Sequence, residues 1–134
     1  MGGVAGHAGL FGTAGSVGQV GRLVLRGLSG EDTTLAPSWV IRAFTRRSPV
    51  PGSSRALAWD TALPASSCGP LLSRGAIGHT GFTGTSLWID PAQDRYVVLL
   101  TNRVAGHGTL EDMQRIRRRV HDLLASAWLG VRHG

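Results

Sequence analysis

From residue 13 onward, apolar side chains recur at three- and four-residue spacing: Val17, Val20, Leu23, Val24 and Leu28. That spacing draws one face of a helix. Thr13 is placed to cap it, and Gly27 or Gly30 offers a stop. Gly15, Gly18 and Gly21 weaken the helix, because glycine in a helix interior costs backbone entropy. A second helical run begins at Pro37, a residue suited to a first turn, and continues through PSWVIRAFTRR with Val40, Ile41 and Phe44 on one side. SPVPGSS then forces an extended or turning connection. Residues 2–12 mix glycine with apolar residues too densely for a helix or a linker, which predicts a packed, tightly turning loop.

At residue 55 the period changes. RALAWD alternates Leu57 and Trp59, as a short strand would, and TALPASSCGPLLSRG is a loop by composition. TGTSLWID and RYVVLLTNR, joined by PAQD, have the pattern of an antiparallel hairpin. YVVLL is apolar without a break, which predicts a strand buried on both faces and hence a covered sheet. The cover is expected from TLEDMQRIRRRVHDLLASAWLG. There Thr109 and Asp112 approximate a capping box, and Gly130 ends the helix. Leu110, Met113, Ile116, Val120, Leu123, Leu124, Ala127 and Trp128 form one apolar stripe, read as core and not as a cofactor box. Glu111 with Arg115, and Arg118 with Asp122, can pair at four-residue spacing. The basic run at residues 117–119 reads as a solvated helix face. The pattern predicts an α/β (α+β) class: an antiparallel sheet flanked by helices.

Composition changes this picture little. The 134 residues suit one domain, and 42% hydrophobic with 16% charged residues excludes a disordered chain. No apolar run reaches the roughly 18 residues of a membrane span, and the first residues lack a signal-peptide layout. All 14 basic residues are arginine, giving a net charge of +6. They are scattered and not interleaved with aromatic platforms, so no nucleic-acid partner is expected. Cys68 is the only cysteine, which rules out an internal disulfide. It lies in a loop and reads as incidental rather than as a nucleophile.

Candidate chemistry is narrow. The histidines at 7, 79, 107, 121 and 133 show no metal-ligand spacing, and neither a metal nor another cofactor is expected. Gly-His-x-Gly-x-x-Gly occurs at residues 6–12 and again at 78–84. Its glycine spacing is not that of a phosphate cradle, a P-loop needs a lysine, and no Gly-x-Ser-x-Gly elbow exists. So short an echo does not make a repeat architecture, and the first copy reads as a bend. The second is different. His79 can relay a proton, Thr80 can hydrogen-bond a carboxylate or carbonyl, and Gly81 leaves the strand edge unblocked. The Phe82 N–H that follows is then placed to donate to a developing oxyanion.

GHTGFTGTSLWIDPAQDRYVVLLTNR, at residues 78–103, resembles the Lys/His-Thr-Gly strand and following hairpin of the serine β-lactamase and penicillin-binding-protein superfamily, in its class C β-lactamase and esterase-like branch. GVAGHAGLFGTAGSVGQVGRLVL and SSRALAWDT resemble the preceding loop and helix and the Gly-Leu-Gly-Trp strand of that branch, so the resemblance runs over residues 2–128. It implies a partial β-lactamase/transpeptidase-like fold, with residues 1–134 as the C-terminal part of a serine hydrolase domain. It also implies that His79, Thr80, Gly81 and the Phe82 N–H line one wall of a cleft for a small-molecule ester, amide or β-lactam. The family's Ser-x-x-Lys and Tyr-x-Asn elements do not occur here, so nucleophile and base are expected from an N-terminal part, and this chain alone is expected to be inactive. The alternative is a non-catalytic remnant or binding module that keeps the sheet without the nucleophile. Either way, a sheet that normally receives strands from the N-terminal part should leave an edge or face uncovered.

Overall fold

A computed structural model describes residues 9–130. Helices α1 (Ala14–Ser29) and α2 (Ser38–Thr45) precede strands β1 (Asp60–Thr61), β2 (Ile77–Thr80), β3 (Ser86–Asp90) and β4 (Arg95–Leu99), and helix α3 (Leu110–Leu129) closes the chain. The strands form one antiparallel sheet in the order β1-β2-β3-β4. The expected α/β arrangement of an antiparallel sheet with flanking helices is present. Residues 2–8 of the glycine-rich opening, His7 among them, and His133 lie outside the described residues.

The pleat sorts side chains into two cores. Ile77 and Ile89 point toward α1 and α2 and join Val24, Leu25 and Ile41. Trp88 points the other way and joins Cys68, Leu72, Ala76 and Ala125 of α3. Trp88 is 1% exposed, and its ring occupies the space above Gly78, its cross-strand partner, where any Cβ would overlap the indole. Asp90, also buried, ties the long loop to the end of β3 by accepting from the Ser73 N–H at 2.8 Å and from the Ser73 hydroxyl.

Helix α1 begins as its sequence predicts. The Thr13 hydroxyl accepts from the Ser16 N–H at 3.2 Å, and Gly30, at φ 106, caps the C-terminus. Its glycines are packing surfaces rather than defects. Gly18 and Gly21 lie against the Tyr96 ring of β4, and Gly27 lies against Ile41 of α2. In α2, Pro37 is the N-cap rather than the first helical residue, and the helix ends before the two arginines.

Three expectations are corrected. Residues 55–60 are not a strand along their length. Arg55 bridges back to Asp60, the Ala56 N–H donates to the Trp59 carbonyl at 2.9 Å, and Ala58 has φ 84, so the segment turns on itself and Leu57 is left exposed. YVVLL is not buried on both faces. β4 is the outer strand, and of its residues only Val97 is fully buried. Finally, α3 is rotated from its apolar stripe. It buries Met113, Arg117, His121, Ala125 and Ser126, while Leu110, Ile116, Leu123 and Leu124 are exposed. Trp128 is half-buried against the second core. Arg115 pairs with Asp112 at 2.6 Å rather than with Glu111, and Arg118 donates to the Pro64 carbonyl at 3.2 Å.

Candidate active site

β2 is four residues long, and β1 pairs with only its first two, Ile77 and Gly78. Among the described residues, no strand lies beside the outer edge of β2 from His79 onward. On the inner side, His79 and Thr80 pair with Leu87 and Ser86, and the Gly81 N–H donates to the Thr85 carbonyl at 2.8 Å. Because backbone groups alternate sides along a strand, the Thr80 amide points to the unpaired edge; Phe82 lies in the turn just beyond, and its N–H points opposite to the Gly81 carbonyl of the same peptide, which faces Gly84 and Arg117. Among the described residues the Phe82 N–H donates to no acceptor.

The same alternation separates two of the expected site side chains. His79 lies on the α1 face and is exposed, whereas Thr80 lies on the α3 face and is half-buried. Thr80 lines a cavity of about 370 Å³ with Ser54, Asp60, Ser66, Ser67 and Arg117. Gly81 opens a tight turn closed by the Gly84 N–H on the Gly81 carbonyl at 3.1 Å. A Cβ at Gly81 would overlap the Thr85 hydroxyl, so the turn itself requires glycine here, in addition to any clearance for a ligand. Phe82 stands at the tip, 73% exposed.

Two arginines that sequence reasoning did not connect with this turn hold it from either side. Arg117 is not on a solvated face. It is 7% exposed, and its Nη2 donates to the carbonyls of Gly81 at 2.7 Å and Thr85 at 2.9 Å. Burial, with the nearby Arg103 charge, lowers its pKa. Arg103 donates to the Phe82 carbonyl from Nε at 3.0 Å and Nη2 at 2.9 Å, and to the Gly108 carbonyl from Nη1 at 2.9 Å. Its guanidinium also lies 4.5 Å from the Phe82 ring centroid. The Phe82 N–H shares a peptide plane with the Gly81 carbonyl, so the bonds to that carbonyl from Arg117 and from the Gly84 N–H fix the orientation of the free amide, while Arg103 holds the next peptide through the Phe82 carbonyl.

Behind Arg117, His121 is wholly buried, with Nε2 3.3 Å from the Ser86 hydroxyl. Burial first, then the Arg117 charge, pushes its pKa down to about 4, so the imidazole is neutral at pH 7. The Ser86–His121 pair is sealed from solvent and cannot meet a substrate. Cys68 is likewise buried, and burial pushes its thiol up to about 11, the setting of an inert cysteine. His107 is exposed at φ 53 in a loop remote from any other histidine in sequence. No described helix is long and apolar enough to cross a membrane.

Comparison with known proteins agrees with the family resemblance. The chain is 38% identical over 106 residues to proteins named putative D-alanyl-D-alanine carboxypeptidase from Salmonella typhi, Salmonella paratyphi B and Salmonella newport. The match covers 77% of this chain but 24% of each relative, so the chain spans about a quarter of their length. A family model described as Beta-lactamase matches residues 1–122. The chain therefore belongs to the beta-lactamase family, within the serine β-lactamase and penicillin-binding-protein superfamily.

Proposed function

We propose that this chain forms one wall of the acyl-transfer cleft of a serine hydrolase whose nucleophile and general base come from polypeptide outside these 134 residues. The observation that carries the reading is the unpaired edge of β2, where the Phe82 amide is free and Thr80 opens onto a polar cavity. A substrate carbonyl laid along that edge would receive the Phe82 N–H. As a serine Oγ bonds to the carbonyl carbon and its proton passes to the base, charge builds on the carbonyl oxygen. The amide then stabilises that charge, an interaction worth about 3 kcal/mol per donor. Collapse expels the leaving group with a proton, and water attacks the acyl-enzyme in the second half-reaction. The Thr80 hydroxyl would bind a carboxylate or carbonyl of the substrate, and His79, on the other face, would act at the rim of the cleft. Substrates are acyl compounds: esters, amides or β-lactams. The names of the relatives favour a peptide ending in D-alanyl-D-alanine.

In a longer protein that joins these residues to a Ser-x-x-Lys segment, Thr80→Val and His79→Ala should lower kcat/KM at least about tenfold on an activated ester, with unfolding midpoints changed little. A fluorophosphonate should label the longer protein and leave the 134-residue chain unmarked. Unchanged turnover in both variants at matched folded protein would sink the site. Covalent labelling of a serine within this chain would sink the division of labour.

A further inference from the structure

The turn that carries the Phe82 amide is closed by its own backbone. The Gly84 N–H donates to the Gly81 carbonyl at 3.1 Å, and the Gly81 N–H donates to the Thr85 carbonyl at 2.8 Å. Arg117 Nη2 adds a second bond to each of these oxygens, at 2.7 Å and 2.9 Å. Neither carbonyl needs it, because each already has a donor. The arginine is nevertheless turned inward from the middle of α3 and is 7% exposed. Among the described residues it forms no ion pair, and its buried Nε–H meets no acceptor. A cation held this way costs stability, whereas an apolar side chain packed in its place would not. Closing the turn therefore does not account for Arg117.

What the arginine adds is positive charge on one particular peptide. The Gly81 carbonyl and the Phe82 N–H belong to the same planar trans unit and point in opposite directions. A hydrogen bond to the oxygen draws electron density from the nitrogen and makes the N–H a stronger donor, by roughly 10–30% per bond. Donors that carry a full charge bind roughly twice as strongly as neutral ones. Gly84 supplies the neutral bond and Arg117 the charged one. Arg103 stands in a different relation to the amide, since it holds the Phe82 carbonyl, which belongs to the next peptide.

We propose that Arg117 is a positioning residue of the acyl-transfer site: through the Gly81 carbonyl it orients and polarises the peptide whose other end, the Phe82 N–H, receives the oxyanion. The assignment rests on the hydrolase reading of the β2 edge and adds to it a cation on α3. Across one hydrogen bond, one peptide and a second hydrogen bond, the guanidinium nitrogen stands roughly 8 Å from the substrate oxygen and does not touch it. The interaction grows only as charge builds on that oxygen, so it acts on kcat rather than on KM.

The test uses the longer protein that joins these residues to a Ser-x-x-Lys segment, with p-nitrophenyl acetate as substrate. Arg117→Met should lower kcat about tenfold to a hundredfold, less than the loss of a whole oxyanion donor, and change KM less than about threefold. The ester has no carboxylate, so the loss cannot come from an anchoring bond to one. Arg117→Lys, which keeps the charge, should recover part of the rate. In the acyl-enzyme, the ester carbonyl stretch should move to higher wavenumber in the Met variant, because a weaker donor polarises the bond less. An arylboronic acid that mimics the tetrahedral state should lose affinity by about the same factor as kcat. Arg117→Gln replaces the Met variant if that one does not fold, and failure of both to fold would make the arginine structural and overturn the role. Native kcat and carbonyl stretch in a folded neutral variant, a raised KM at native kcat, or a Lys variant no faster than the neutral one would each overturn it as well. If a fluorophosphonate leaves the longer protein unlabelled, the hydrolase reading and this role fall together. Labelling with turnover indifferent to Arg117 removes the role alone.

Discussion

At the scale of single residues, the least expected finding is the polar line that α3 turns inward. Arg117 is bound to two turn carbonyls, and the neutral His121 sits behind it against Ser86. An imidazole whose folded pKa is about 4, against 6.5 in the unfolded chain, favours folding only while it stays unprotonated. The unfolded chain takes up the proton first, so the stability is complete above about pH 6.5 and is lost as pH falls toward 4. The loss amounts to about 3 kcal/mol at most. Chemical unfolding followed from pH 7 to 4.5 should therefore show a steep decline in the native chain and a shallower one in His121→Gln. Parallel declines would assign the acid sensitivity to other groups. Hydrogen bonding from Thr109 lowers Asp112, bonding from Ser38 lowers Asp32 and bonding from Arg26 lowers Glu31, so these carboxylates stay ionised across that range.

At the scale of elements, packing reverses what helix propensity alone would say. In an isolated helix, Gly21→Ala should stabilise by about 1 kcal/mol. Here the new methyl would stand 3.0 Å from Tyr96 Cγ, and one at Gly18 would stand 2.9 Å from Cε2 of the same ring. Each substitution should instead destabilise by about 1–3 kcal/mol in urea unfolding, and Tyr96→Leu should largely relieve the loss. Stabilisation by Gly21→Ala in the native background would refute the close approach of α1 to β4. The same contrast explains what the sequence made legible. The β3–β4 hairpin was readable because β-branched runs and the PAQD turn are local signals, and Thr13, Thr109, Gly30 and Gly130 cap the helices where local rules put them. The phase of α3 was not readable. Its leucine stripe outweighs Arg117 and His121 in any hydrophobic count, while the bonds that turn Arg117 inward reach carbonyls more than thirty residues away. An unblocked strand edge at Gly81 was legible in the sequence, but what leaves it open was not. That edge exists because β1 is two residues long, and the alternation of Leu57 and Trp59 concealed the turn that shortens it.

At the scale of the whole molecule, three surfaces that a self-sufficient domain would cover are open together. Among the described residues, β4 presents an unpaired edge, the outer side of β2 is unpaired beyond Gly78, and α3 exposes Ile116, Leu123 and Leu124. Arg95 of β4 lies 5.3 Å from the Trp128 ring centroid, which brings the β4 edge and the end of α3 close together. An exposed apolar edge strand templates pairing with another chain, and an apolar helix face beside it adds area to the same contact. Net charge opposes such contact only weakly at physiological salt, where screening acts within about 8 Å. The 134-residue chain on its own should therefore unfold at low denaturant and associate with rising concentration in sedimentation velocity. Leu123→Lys combined with Leu124→Lys, at positions 51% and 38% exposed, should shift the distribution toward monomer. The cost in stability should be small, because neither side chain belongs to a core cluster. A native chain that stays monomeric and melts cooperatively at high temperature would mean that these open surfaces are tolerated, and that the fold does not need a covering segment.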